Sequence, residues 1–351
     1  MLKLDVYNKN TAKNYTDFLA GRNIELDIYY YPEFLGIDAV IQKGEYEIVV
    51  IYNETACFVY PYIKSPIPFQ QYSNYFDITS PYGYAGPYIN TNDTHVFELC
   101  EQKLVDYLSS SNVVCEFIRY HYLYNKGTRF NLSASNHLNR KIVVLDLKRS
   151  SEGLWKNEFS SKCRNLYRKM EKENYEFEFA NKPDDLKEFY SLYIETMKNA
   201  NADDFYYFPF EMIQKMHNDL GKDLLLCKLI KDNITYASAL FFIKNKIVTY
   251  YLSSRNLNYP KVNANNFLLA KVIQWAASQG NHIFNLGGGD DDKEENSLLA
   301  FKKNFSKNEE TFFIGKRILN TEVYDQLKTH YQEVYGRDSF SKKQHILQFY
   351  R

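Results

Sequence analysis

The fold is decided by residues 224–289, LLLCKLIKDNITYASALFFIKNKIVTYYLSSRNLNYPKVNANNFLLAKVIQWAASQGNHIFNLGGG. Leu224 to Ile230, Tyr236 to Ile243 and Ile247 to Ser253 are apolar runs of strand length. Asp232-Asn233 and Lys244-Asn245 punctuate them, which predicts an antiparallel meander. A helical pattern from about Asn263 to Gln279 then stops at Gly280, a residue suited to the left-handed turn that ends a helix. His282 to Leu286 reads as a short strand that runs into Gly287-Gly288-Gly289.

Working outward, Leu154 to Glu173 has helical spacing and Tyr175 to Ala180 alternates as a strand. Pro183-Asp184-Asp185 opens a helix through Lys198, because proline and acidic side chains suit a first turn with free N–H groups. An aromatic loop, Asn201 to Phe208, leads to a helix over Phe210 to Leu220. Downstream lie a brief helix, Ser297 to Phe305, and a strand, Glu310 to Lys316. The order is β-α-α-β-β-β-α-β-α-β. The first half repeats the theme more faintly, with strands at Leu4 to Tyr7, Tyr46 to Tyr52, Cys57 to Tyr62, Val113 to Arg119 and Lys141 to Leu147. Helices are expected at Ala12 to Leu19 and Thr94 to Leu108. The expected division is an N-terminal domain over 1–147, completed by 318–351, and a C-terminal domain over 148–317. The amphipathic stretch Thr321 to Tyr335 is expected to pack on the first domain.

The chain has 351 residues, with 43 Lys and Arg against 43 Asp and Glu, so a protein-wide basic footprint for DNA is excluded. No apolar run reaches the roughly 18 residues of a membrane span, and MLKLDVYNKN has charges where a signal peptide needs an apolar core. A cytoplasmic protein is expected, with peripheral membrane contact left open. The 32 Tyr and 25 Phe are read first as codon bias and second as the wall of a groove for sugars or nucleotides. Cys57, Cys100, Cys115, Cys163 and Cys227 are too far apart for a metal clip, and an odd count leaves one thiol unpaired. The seven histidines have no metal-ligand spacing, and no metal is expected. Neither a GxSxG elbow nor a GxxxxGK[ST] loop is present.

Four segments carry candidate chemistry. FNLGGGDDDKEENSLLAFKKNF, Phe284 to Phe305, brings glycines that admit a ligand close to backbone, with Lys302 one turn into the helix beyond. DITSPYGYAGP, Asp77 to Pro87, is a tight loop bearing Tyr82 and Tyr84. SKCRNLYRKMEK, Ser161 to Lys172, sets Arg164 and Arg168 at i,i+4, a two-fork anion clamp. From His137 to Lys172 there are ten Lys and Arg against four Asp and Glu, a local basic excess. TYYLSSRNLNYPKVNANNFLLAKV, Thr249 to Val272, runs from strand to helix; alternation lets only one of Tyr250 and Tyr251 face a groove there, and Tyr251 is the expected one. Each segment also has a plain structural reading, as a turn, an aromatic loop or a solvated charged face.

The element order is that of the Gcn5-related N-acetyltransferase (GNAT) fold. YGYAGP (Tyr82 to Pro87), EFIRYH (Glu116 to His121), KCRNLYRKMEK (Lys162 to Lys172), ANNFLLAKVIQWAASQG (Ala264 to Gly280), and LGGG with SLLAFKKNF (Leu286 to Phe305) together resemble the FemAB family of peptidoglycan-bridge aminoacyltransferases and its GNAT-type relatives. The resemblance implies an α/β (α+β) chain of tandem GNAT-like domains, each a mixed, mostly antiparallel sheet flanked by helices. It implies transfer of an acyl or aminoacyl group to an amine, with Phe301 and Lys302 beside the reacting carbonyl. Lys302 and backbone N–H groups near Tyr251 to Ser253 would hold the oxyanion. Tyr82, Tyr84, Arg119, His121, Arg164, Arg168, Ser253, Asn265, Gly287, Gly288 and Gly289 are the expected substrate contacts. Pro260-Lys261-Val262-Asn263-Ala264-Asn265 stands where ordinary GNAT proteins carry a Q/R-x-x-G-x-G/A coenzyme A loop. The expected co-substrate is acyl-CoA or aminoacyl-tRNA, with no tightly bound cofactor. The expected acceptor is an amino sugar, small or lipid- or nucleotide-linked, or another amine-bearing cell-wall or surface-polysaccharide precursor. The rival reading is a non-catalytic GNAT-fold protein that binds a ligand or glycan; Phe301-Lys302 beside three glycines argues for chemistry instead.

Overall fold

The computed structural model describes residues 1–124, 134–259, 263–289 and 296–351. Two compact units emerge: unit 1 is Met1–Glu25, Tyr29–Asn139 and Thr311–Arg351, and unit 2 is Leu26–Ile28 with Arg140–Glu310. The divisions fall inside two long strands, and the expected edges at 147 and 317 lie toward the far ends of those strands.

Unit 1 begins with β1 (Lys3–Tyr7), α1 (Ala12–Gly21), α2 (Pro32–Ile41), β2 (Glu45–Tyr52), β3 (Cys57–Pro66), β4 (Phe76–Thr79), the short β5 (Tyr88–Ile89), α3 (Thr94–Ser110) and β6 (Val113–Arg119). Its sheet runs β1-β2-β3-β4-β6, antiparallel except for the parallel β4/β6 pair. The strand β7 (Ser135–Asp146) leads into unit 2, through the single turn α4 (Ser151–Gly153) to α5 (Ser161–Glu171), β8 (Glu176–Asn181), α6 (Lys187–Ala200) and α7 (Phe210–Leu220). Then come β9 (Leu224–Lys231), β10 (Ile234–Lys244), β11 (Ile247–Arg255), α8 (Ala264–Ser278), β12 (Ile283–Gly288) and α9 (Ser297–Lys302). The sheet of unit 2 runs β8-β9-β10-β11-β12-β7, again with a single parallel pair, β11/β12. The last strand, β13 (Glu309–Ile318), returns to unit 1, where Ile314–Ile318 pair with Cys115–Arg119 of β6. α10 (Thr321–Tyr335) follows and α11 (Arg337–Lys343) ends the helices.

Leaving out the two-residue β5, both units have the order β-α-α-β-β-β-α-β and the same sheet plan, closed by a sixth strand antiparallel to the fifth. α2 and β4, which the sequence does not announce, complete the match. α8 is buried nearly all round, through Phe267, Leu268, Leu269, Ala270, Val272 and Ile273, and packs with α5 on one face of the unit 2 sheet. α5 contributes Cys163, Tyr167 and Met170, one turn apart on a single stripe. In unit 1, α3 lays Phe97, Cys100, Leu104 and Leu108 on Val49, Ile51, Phe58 and Tyr60. α10 packs Val323, Tyr324 and Leu327 against Val114 and Cys115, as expected for the C-terminal stretch.

Many tyrosines are core residues: Tyr15, Tyr29, Tyr30, Tyr60, Tyr62 and Tyr120 are each 1 % exposed or less. All five cysteines are buried and unbridged. Burial pushes the Cys57 thiol up to about 11 and Cys163 up to about 12, so neither supplies a thiolate at neutral pH. Among the described residues no helix is long and apolar enough to cross a membrane, and no cluster of three or more His, Cys, Asp or Glu could hold a metal.

Two features depart from simple periodicity. The expected helix over 154–173 is broken: a wide π turn at Leu154–Glu158 ends at Phe159, whose φ of −69° and ψ of 129° are extended, and Ser160 caps α5 by accepting the Cys163 N–H at 3.0 Å. Arg164 donates to the carbonyls of Trp155 and Lys156 at 3.3 Å and to that of Phe159, binding the end of the π turn to α5. The second feature is a buried ion cluster that fastens β13 to unit 1. Arg317 Nε lies 2.7 Å from Glu116 Oε2 and its Nη1 3.1 Å from Glu101 Oε1, with all three side chains 1 % exposed or less.

Arg317→Met strands two buried carboxylates without a cation and should lower stability by about 3–5 kcal/mol, read from chemical denaturation. Arg164→Ala should lower it by about 1–2 kcal/mol through the lost carbonyl contacts. An unchanged denaturation midpoint for the second variant would return Arg164 to the pool of ligand contacts.

Candidate active site

The parallel pairing of β11 with β12 covers only Ile247–Thr249 against Ile283–Asn285. Beyond that rung each strand stays with its other neighbour. β11 continues against β10 as far as Arg255 opposite Ala237, and β12 continues against β7 as far as Gly288 opposite Ile142. The two strands therefore part, and the opening is flanked by Tyr250–Ser253 on one side and Leu286–Gly288 on the other. Each flank carries an irregularity. The β10/β11 register slips between Leu240/Leu252 and Phe241/Tyr250, making Tyr251 a bulge residue, and the β12/β7 register slips beside Leu286.

Lys302 ends α9 with its side chain 8 % exposed, and its Nζ donates to the Gly288 carbonyl at 2.6 Å. The ammonium lies 5.9 Å from the centre of the Tyr250 ring. Phe301 packs against the unit 2 core, 5.5 Å from Phe305. Tyr250 shares that core face and stacks on Phe241 at 5.4 Å, whereas Tyr251 stacks on Phe242 at 4.3 Å. The tyrosine brought to Lys302 is Tyr250, which shares the core face of Val248 by ordinary alternation, whereas Tyr251 is the bulge residue that follows it. Burial pushes the Tyr250 phenol up to about 12, while a hydrogen bond with Ser253 pulls the other way. At neutral pH it is a protonated donor and not a base.

The three glycines are demanded by the chain itself. Gly287 has φ +72° and its N–H donates to Asn285 Oδ1 at 2.8 Å. A Cβ on Gly288 would lie 2.8 Å from the Lys141 carbonyl, and one on Gly289 would lie 2.4 Å from Asn296, the N-cap of α9. The Gly289 carbonyl accepts from Arg140 at 2.8 Å, so two cations hold successive glycine carbonyls. This close packing sets the distance between β12 and α9 and so aims Lys302. The Asp290-Asp291-Asp292 run and Pro260-Lys261-Val262 lie outside the described residues; Asn265 sits half-buried in the first turn of α8. Arg164 faces backbone carbonyls, and Arg168 lies exposed over the Trp155 ring at 5.6 Å, so the two forks do not converge.

Tyr82, Tyr84, Arg119 and His121 belong to unit 1. There the matching parallel pair, β4/β6, does not open in the same way. The Ser80 N–H donates to the Phe117 carbonyl at 2.9 Å, the Ser80 hydroxyl accepts the Arg119 N–H at 2.6 Å, and Ala85 forms a further parallel bridge with Tyr120. Arg119 adds a bond from Nη1 to the Ser80 carbonyl at 2.9 Å and stacks on Phe117 and Tyr82 at 4.9 and 5.7 Å. Asp38, 1 % exposed, accepts the Tyr82 N–H at 3.1 Å, and burial raises its pKa. His121 is fully buried between Tyr122 and Tyr124, at 4.7 and 4.1 Å, and its Nδ1 accepts the Leu123 N–H. Tyr84 packs edge-on against Tyr122 and Phe312. Asp77, at the start of the DITSPYGYAGP segment, is bound in a bidentate pair with Arg351 at 2.7 and 2.9 Å. Sequence reasoning singles out neither Ser80, which lies inside the DITSPYGYAGP segment, nor Asp38, which lies in no motif.

The model of the family described as "Acetyltransferase (GNAT) domain" matches residues 157–303. The UDP-N-acetylmuramoylpentapeptide-lysine N(6)-alanyltransferase of Weissella viridescens is 23% identical over 171 residues, which are 48% of this chain and 50% of that enzyme. The chain thus spans about half the length of that curated relative. Among solved structures, FemX superposes with a TM-score of 0.66 at 14% identity, covering 92% of this chain and 99% of that one. The C-terminal DUF2156 domain of an Agrobacterium fabrum protein named for lysylphosphatidylglycerol synthesis superposes with a TM-score of 0.59, also at 14% identity, covering 92% and 97%. Residues 157–303, which hold the parted strands and the buried lysine of unit 2, thus match a GNAT acetyltransferase domain, and the chain is similar in sequence to a FemX-type alanyltransferase and in fold to FemX.

Proposed function

We propose that the chain moves an acyl or aminoacyl group from an activated donor to the amine of an amino sugar or of a cell-wall or surface-polysaccharide precursor. The single observation that carries this reading is the opening between β11 and β12, with a buried ammonium held at its edge on the Gly288 carbonyl. A carbonyl lodged in that opening meets the β11 backbone on one side and Lys302 on the other. Attack by a neutral amine makes the carbonyl carbon tetrahedral and puts negative charge on its oxygen. Lys302 and N–H groups of β11 are the donors for that oxygen. As the adduct collapses to the amide, the attacking nitrogen gives up its extra proton and the donor's sulfur or oxygen leaves with one; the protonated Tyr250 phenol on that face is the proposed donor to the leaving group and is reprotonated by the proton the nitrogen releases.

The donor is an acyl thioester such as acyl-CoA or an aminoacyl-tRNA, in line with the name of the family model for the first and with the alanyltransferase relative for the second. In unit 1 the matching strands are laced together at Ser80, so no second opening of this kind is assigned there. Tyr82, Tyr84 and Arg119 of unit 1 remain proposed substrate contacts, while the interior position of His121 suits a structural role.

Lys302→Met should reduce turnover about 10²–10³-fold with an unchanged circular dichroism spectrum, because one preorganised donor to an oxyanion is worth that much. A rate equal to that of the unsubstituted protein would remove Lys302 from the chemistry and the reading with it. Donor binding measured between 50 and 200 mM salt should fall steeply for a tRNA, through contacts with the basic 137–172 stretch, and hardly at all for a thioester.

A further inference from the structure

Two polar side chains stand on the last rung before the strands part. Thr249 and Asn285 are register partners in the parallel β11/β12 pair and are 3 % and 0 % exposed. Their chain neighbours Val248, Tyr250, Phe284 and Leu286 all join the core on one face of the sheet. Thr249 and Asn285 therefore lie side by side on the other face, at the closed end of the opening. Asn285 Oδ1 accepts the Gly287 N–H at 2.8 Å, which fixes the sense of the amide and directs Nδ2 away from that bond. Among the described residues, neither Asn285 Nδ2 nor Thr249 Oγ1 has a hydrogen-bond partner. A buried polar group without a partner opposes folding, and two such groups side by side oppose it twice. Replacing either with an apolar residue would remove that penalty, so their presence calls for a partner from outside the chain.

The chemistry of that partner follows from the atoms on offer. The pair presents two amide hydrogens and one hydroxyl, with the hydroxyl oxygen as its one uncommitted acceptor apart from the second lone pair of Oδ1. A ligand ammonium would face the amide hydrogens, and a carboxylate would be stripped of water with no cation on this rung to answer it. A neutral oxygen fits. We propose that Thr249 and Asn285 form a subsite that receives a neutral hydroxyl or carbonyl oxygen of the substrate, beyond the reacting carbonyl itself, and so select oxygen-bearing substrates over their deoxy counterparts. The subsite deepens the acyl-transfer reading and rests on it for the identity of the ligand. The oxygen belongs either to the transferred group or to the acceptor, and two arms of one experiment separate these sources.

The donor arm compares 3-hydroxybutyryl-CoA with butyryl-CoA, and the acceptor arm compares glucosamine with 3-deoxyglucosamine. Binding is read by thermal shift on the full chain and on Thr249→Val, an exchange of nearly equal shape. The oxygen-bearing member of one pair should bind about 10–100-fold more tightly to the unsubstituted protein, and that preference should vanish in the variant. Without any ligand, Thr249→Val should melt no lower than the parent. A fall of several degrees would mean that the hydroxyl is satisfied inside the fold, and would overturn the subsite. Equal affinity within both pairs, or a preference that survives Thr249→Val, would overturn it as well. A binding preference with no turnover of any pair would leave the subsite standing and overturn the acyl-transfer reading alone.

Discussion

Strand β12 can leave β11 only because β7 holds its other edge. A backbone strand that abandons one neighbour must satisfy its N–H and C=O groups elsewhere, and a buried strand has few choices. Here the ladder with β7 continues to Gly288 after the ladder with β11 has stopped at Asn285, and β10 does the same service for β11 as far as Arg255. The opening is thus a product of two intact ladders on either side of it. The glycines follow from the same requirement: with β12 drawn onto β7, no room remains for a side chain at Gly288, and α9 closes down on Gly289. Lys302 is then delivered to the rim by a helix of only six residues.

The two units show one plan used in two ways. Both have five strands in the same order with one parallel pair, and both gain a sixth strand from elsewhere in the chain. In unit 1 the segment after β4 stays with β6 through Ser80 and Ala85, and an arginine fastens it. In unit 2 the segment after Thr249 stays with β10 and bulges at Tyr251. A few backbone hydrogen bonds decide whether the parallel pair opens, while the helices and cores around it remain alike.

Much of unit 2 is legible in its sequence because the turns announce themselves. Asp232, Asn233, Asn245 and Lys246 all adopt positive φ, and the first three are residue types that tolerate it. The strands between them are apolar runs of strand length. Unit 1 is harder to read: α2, PEFLGIDAVI, is apolar on most sides and so lacks helical periodicity, although Pro32 at its start was an available signal. The site divides in the same way. Lys302 and the glycines carry a motif, but the choice between Tyr250 and Tyr251 turns on which face of β11 meets the core, and alternation alone leaves that open. Arg164 and Arg168 have the same i,i+4 spacing whether they meet a phosphate or a carbonyl, and only the break at Ser160 decides that Arg164 meets carbonyls. Asn285 looks like an ordinary strand residue until its amide is seen tied to Gly287.

The exchange of closing strands has a consequence for the order in which the protein can be made. Of the sheet strands of unit 2 a ribosome releases β7 first, so that sheet can close soon after β12 emerges. Unit 1, though begun first, waits for β13 and for the guanidinium of Arg317 to neutralise Glu101 and Glu116, which have been synthesised some two hundred residues earlier. Until then β6 exposes an edge beside two uncompensated carboxylates. The first-born unit finishes last, and a nascent chain halted just after residue 310 would carry a complete unit 2 beside an unfinished unit 1.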